Sequence, residues 1–166
     1  MPQDKIIELQ PVPINFPEAP QELPSHFHTT DRIDFRDIFK KKLYIHHTIY
    51  GADAATAGNY GVFWIVPFSC VISEIREVHQ TAGTDTGAVT LQIGRLTGTE
   101  ALDAAGEDSL LATAFNLKGT INTVNTGTLT TTLSNLQLSR GDRLSMKDSG
   151  TLTSVANVTV IIEITF

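Results

Sequence analysis

The stretch Asn157-Val158-Thr159-Val160-Ile161-Ile162-Glu163-Ile164-Thr165-Phe166 alternates with a two-residue period. Val158, Val160, Ile162, Ile164 and Phe166 fall in one phase; Asn157, Thr159, Glu163 and Thr165 fall in the other. Side chains two apart on extended backbone share a face, so this is a strand with one buried and one polar side. Reading back from it, Asp148-Ser149-Gly150 is a hairpin turn, Arg143–Lys147 a strand, and Ser139-Arg140-Gly141-Asp142 a second turn. Leu136 and Leu138 lead into that turn. Thr128–Leu133 reads as a threonine-rich strand and Asn122–Gly127 as the turn before it.

Leu110–Leu117 reads as a strand with Leu111, Thr113, Phe115 and Leu117 on one face, after a long polar loop over Thr97–Ser109. Ala88–Leu96 alternates cleanly, with Val89, Leu91 and Ile93 inward. Thr81–Gly87 is a loop. Ser69–His79 carries Ile72 and Val78 in one phase and Val71 and Ile75 in the other, a phase break that predicts a bulge. Tyr60–Val66 is a strand stopped by Pro67. Seven or eight short strands with regular turn signals predict an all-β fold, an antiparallel sandwich or jelly roll. A parallel α/β fold is excluded because no crossover helices separate these strands.

The first part of the chain is built differently. Six of the seven prolines (Pro2, Pro11, Pro13, Pro17, Pro20 and Pro24) lie in the first 24 residues. Proline fixes φ and lacks an amide donor, so this stretch predicts an extended arm over 1–50. Within it Thr30-Asp31 and the lysines at 40–42 bracket a predicted short helix near 31–42. Residues 51–59 are expected to be a loop, and 60–166 the β-body. The arm is richer in large apolar residues than a solvated linker would be. Ile14, Phe16, Phe27, Phe35, Ile38, Phe39 and Tyr44 are therefore the expected anchors on another subunit.

Several function classes are disfavoured. The formal charge of −6 offers no broad surface to a polyanion, so no nucleic-acid partner is expected. No run of about 18 apolar residues exists to span a membrane, and the N-terminus lacks the charged-then-apolar pattern of a signal peptide. Wherever it acts, the protein is expected to be made in a cytoplasm. The single cysteine, Cys70, lies in an apolar run with no base beside it, which suits a buried small hydrophobe.

His26 and His28, and His46 and His47, are the clustered histidines, but a third ligand at metal-site spacing is missing. Glu74, Glu77, Asp85, Asp103, Glu107 and Asp108 read as a solvated acidic surface, without the ordered spacing of a calcium loop. Arg140-Gly141-Asp142 reads as a turn rather than an adhesion motif. No Gly-x-Ser-x-Gly elbow is present and no carboxylate pair is set for hydrolysis. No catalytic residue, metal site or cofactor is expected.

Thr81-Ala82-Gly83-Thr84-Asp85-Thr86-Gly87-Ala88-Val89-Thr90-Leu91-Gln92-Ile93, with Leu96-Thr97-Gly98-Thr99 and Leu110–Leu117, has a familiar style. So has Leu138-Ser139-Arg140-Gly141-Asp142-Arg143-Leu144 with Gly150-Thr151-Leu152-Thr153. Over 60–166 the chain resembles β-rich virion structural proteins of tailed bacteriophages, of the head decoration (cement) or capsid accessory type. The resemblance implies a non-enzymatic subunit, a homotrimer, on the capsid exterior of the virion. Its partners would be the major capsid protein and other virion subunits. The alternative is a tail, neck or fibre component, with host-glycan binding as one version of it.

Overall fold

The computed structural model describes residues 41–102 and 107–166. Ten strands are found there: β1 (Lys42–Ile49), β2 (Val62–Ile65), β3 (Cys70–Thr81), β4 (Thr90–Leu96), β5 (Asp108–Ser109), β6 (Phe115–Asn116), β7 (Asn125–Thr126), β8 (Gln137–Leu138), β9 (Arg143–Ser149) and β10 (Ala156–Thr165). One sheet, sheet A, runs β1-β10-β3, with β7 and β8 both on the far side of β3. The other, sheet B, runs β2-β9-β4, with β5 and β6 on the far side of β4. Every pairing is antiparallel. The expected all-β sandwich is what the chain forms.

The final strand behaves as its alternation predicts. Val158, Val160, Ile162 and Ile164 are buried, and they meet Leu91, Ile93, Leu144 and Met146 of sheet B in the core. β10 lies between β1 and β3 with long, continuous ladders on both sides. The expected bulge in β3 is present. Glu163 faces Glu74 and Ile164 faces Ile72, so Ser73 is the extra residue. That insertion resets the phase: Cys70 and Ile72 point inward before it, and Ile75, Glu77 and His79 after it.

Several expectations need revising. The sheet begins at Lys42, not near Tyr60: residues 42–49, placed in the arm by the sequence reading, form edge strand β1. The reason is visible in their own alternation, since Ile45 and Ile49 are buried while Lys42 and Tyr44 face out. The 51–59 loop contains two turns of 3-10 helix, Gly51–Ala55 and Ala57–Asn59. Leu110–Leu117 is not a continuous strand. Opposite its middle, the Gln92 amide side chain takes the ladder's place, accepting from Leu111 N at 3.3 Å and donating to Leu111 O at 3.1 Å. Leu110, Leu111, Phe115 and Leu117 are buried, whereas Thr113 is exposed. Thr128–Leu133 makes one isolated bridge, Leu111 to Leu129, before a short helix, α1 (Leu133–Leu136).

The Ser139–Asp142 turn forms as expected, but Asp148-Ser149-Gly150 is not a hairpin turn: Asp148 and Ser149 end β9, and the chain then crosses to β10 in the other sheet. Ser139 N donates to the Asp142 carboxylate at 2.9 Å, and Gly141 sits at φ +94. Gly150 has φ +89 and lies so close to the Ala88 carbonyl that no side chain fits there. The predicted helix over 31–42 and the anchors Ile14, Phe16, Phe27, Phe35, Ile38 and Phe39 lie outside the described residues, except that Lys42 starts β1.

Candidate assembly surface

The sandwich has two outer faces, and they differ in what covers them. On sheet B, Gly94 and Ser145 are paired opposite each other and both are fully buried. Glu107 lies over them: its carboxylate accepts from Ser145 Oγ at 2.5 Å and stands where a Cβ on Gly94 would be. Lys147 Nζ approaches the same carboxylate at 3.8 Å. Leu96, in the same phase as Gly94, is also fully buried. Glu107 and Leu96 thus cover the middle of this face, while at its β2 edge Val62 and Ile65, paired with Ser145 and Arg143, stay 45% and 65% exposed.

The outer face of sheet A is dressed differently. Tyr44 from β1, Val71 and Val78 from β3, and Thr159, Ile161 and Thr165 from β10 lie there. Tyr44, the expected anchor inside the described region, is 52% exposed. Val124 is 62% exposed beside Arg76, Val78, Thr159 and Ile161, which together line a shallow dent of about 70 Å³. At the other end of the sheet, Ser69–Val71, Gln137–Ser139, Thr165 and Phe166 line a groove of about 360 Å³. Phe68 packs on Phe166 there, ring centroids 4.8 Å apart, and Val71 is half exposed. The exposed apolar surface here is interrupted by a few fixed charges.

The fixed charges form one cluster. Glu163 projects outward from β10, accepts from Ser73 Oγ at 2.8 Å and pairs with Lys42 Nζ at 2.8 Å. The Tyr44 hydroxyl bonds to it as well. These partners, the Lys42 ammonium first, hold the Glu163 carboxyl down at about 2. The same contact raises Lys42 and Tyr44 above their ordinary values. The cluster therefore staples β1, β10 and the bulge of β3 across the outer face. Arg76 pairs with Glu74 at 3.2 Å further along.

This chain shares its fold with a phage capsid chain. The structure titled "Capsid of Ralstonia phage GP4" matches at TM-score 0.53 and 14% identity, over 75% of this chain and 84% of that one. "Cyanophage Pam1 capsid asymmetric unit" matches at TM-score 0.49 and 15% identity, over 93% of this chain and 99% of that one. No protein-family model matches the sequence, and no curated protein matches it.

Of the remaining candidates, His26, His28 and Asp103 lie outside the described residues, and those inside take structural contacts. His46 and His47 point to opposite sides of β1; His47 stacks on Phe63 at 5.1 Å, and burial lowers its pKa, with the neighbouring His46 adding to the effect. Burial raises the Cys70 thiol, and Asp142 adds to the rise. Asp85 accepts from Thr153 N at 3.0 Å, and Asp108 pairs with Arg95 at 2.9 Å. Among the described residues, no three His, Cys, Asp or Glu side chains gather as a metal site.

Glu77 is a correction to the reading of surface acids. It is 1% exposed and accepts from Asn125 Nδ2 at 3.0 Å, while its other oxygen lies 2.7 Å from His79 Nδ1. The Ser73 bulge turned it inward, and Asn125 and His79 satisfy it there. A polar pair so placed fixes how β7 docks on β3.

Proposed function

We propose that this chain is a non-enzymatic virion structural protein, a capsid decoration or cement subunit. The observation that carries the reading is the sandwich shared with a capsid chain of phage GP4. It is supported by the outer face of sheet A and the groove at its end, where Tyr44, Val71, Val124 and Phe166 present apolar surface. In this reading sheet A's outer face rests on the major capsid protein or a neighbouring virion subunit, on the capsid exterior. The arm anchors Ile14, Phe16, Phe27, Phe35, Ile38 and Phe39, together with Tyr44, add a second attachment. Two weak attachments on one subunit multiply into firm retention. A homotrimer would multiply them again.

The test is binding to heads that lack this subunit. The full chain should sediment with them saturably, and a chain missing residues 1–30 should fold yet stay in the supernatant. Undiminished binding by the shortened chain would remove the arm from the mechanism. Recovery with tails rather than heads would move the subunit to the neck, tail or fibre.

A further inference from the structure

The sheet edges of the sandwich are finished in contrasting ways. In sheet B, β2 has four residues and its register slips between Val62 and Trp64. The far side of β4 is met by β5 and β6, of two residues each. In sheet A, the far side of β3 is met by β7 and β8, again of two residues each. Short or bulged edges give an incoming strand few consecutive unpaired amides.

β1 is the exception. Its eight residues, Lys42–Ile49, pair with β10 without a register break, and none is proline. Among the described residues no strand pairs with its outer side. Lysines often guard such edges, but Lys41 and Lys42 stand at one end of β1, and the Lys42 ammonium is folded onto Glu163.

The sequence contains a segment suited to that edge. Within the proline-rich first 24 residues, Gln3-Asp4-Lys5-Ile6-Ile7-Glu8-Leu9-Gln10 is an eight-residue run free of proline, the same length as β1. Ile7 and Leu9 alternate with Glu8 and Gln10, so added beside β1 they would extend the apolar row of Leu43 and Ile45. Asp4 and Glu8 bring carboxylates to a strand, Lys42–Ile49, that has no acid of its own to repel them. The 31 residues between Gln10 and Lys42 can span on the order of 100 Å, far enough to reach a neighbouring body.

We propose that residues 3–10 of a second copy of this chain add as a strand to the open edge of β1. Each copy then donates one strand and accepts one, a head-to-tail contact that closes into a ring. This deepens the assembly reading and rests on it, but the ring forms without a capsid, so the two fail separately.

The experiment uses the full chain in solution, comparing it with an Ile7→Pro/Leu9→Pro double variant. Proline removes the amides the added strand needs, and in a stretch already rich in proline it leaves the body intact. Light scattering should find a closed oligomer for the native sequence and a smaller species for the variant. Hydrogen exchange at the amides of 42–49 should speed up by at least about tenfold in the variant while β4 and β9 stay unchanged. An oligomer that survives both prolines with β1 equally protected overturns the proposal. So does a native chain that is monomeric, whether its β1 amides are protected or free.

Discussion

The two outer faces of this sandwich are built on the same core and differ in what lies over their middles. Glu107 covers Gly94 and Ser145 on sheet B, and apolar exposure there is left to Val62 and Ile65 at the β2 edge. On sheet B the polar groups are spent inside the chain: Glu107 on Ser145, Gln92 on Leu111, and Arg95 on the carbonyls of Ser134 and Gln137 at 2.7 and 2.8 Å. On sheet A the charged groups form small clusters between patches of uncovered valine, isoleucine and aromatic surface. A face that satisfies itself contributes to folding. Apolar surface left beyond what folding needs is what the proposed contact would use.

That contrast can be broken most severely from the covered side. Gly94→Val places a side chain where the Glu107 carboxylate and Ser145 Oγ already sit. Overpacking of this kind should cost about 1–3 kcal/mol, read as a lower denaturant midpoint at unchanged slope. A variant as stable as the native chain would mean that the cover over sheet B lifts freely.

The charged staple on sheet A responds to acid. Glu163 is held down at about 2 in the folded chain, against an ordinary value near 4.5. The folded state therefore binds fewer protons than the unfolded one between those values. The stabilisation is complete above about pH 4.5 and is lost as pH falls toward 2. Glu163→Gln should flatten that limb of the stability profile and lower stability at neutral pH, as followed by thermal melts across pH 2–7. An acid limb identical to the native one would remove the staple from the account.

The smallest effect on folding sharpens the other side of the contrast. Val124→Asp replaces an exposed valine at the dent on sheet A, and should change stability by no more than about 0.5 kcal/mol. Its effect should appear instead as weaker retention on heads. A large loss of stability would show that Val124 serves its own fold rather than a contact.

How much of this was legible in the sequence depends on how local each cause is. β10 and β4 could be read directly, because one buried and one open face write themselves as alternation. The bulge in β3 was legible as a phase break. What that break did to Glu77 was not, because its burial depends on Asn125, distant in sequence. β1 carried a usable signal in Leu43, Ile45, His47 and Ile49 against Lys42, Tyr44, His46 and Thr48, obscured by the proline-rich stretch before it. Leu110–Leu117 had the composition of a strand, yet the side chain of Gln92 replaced its ladder in the middle. On the outer face of sheet A, the exposure of Tyr44 follows from its polar-side phase in β1, whereas Val124 and Phe68 needed the folded sheet to bring them out.

The position of β10 has a consequence for how this protein comes into being. The strand made last among those described is the one that β1 and β3 both require as their neighbour. Until it leaves the ribosome, those two strands have nothing between them, although sheet B and the pairings of β3 with β7 and β8 do not need it. An interrupted translation product cannot mimic the finished subunit, because it lacks the middle of its own sheet. Cellular proteases would meet such fragments with that gap open.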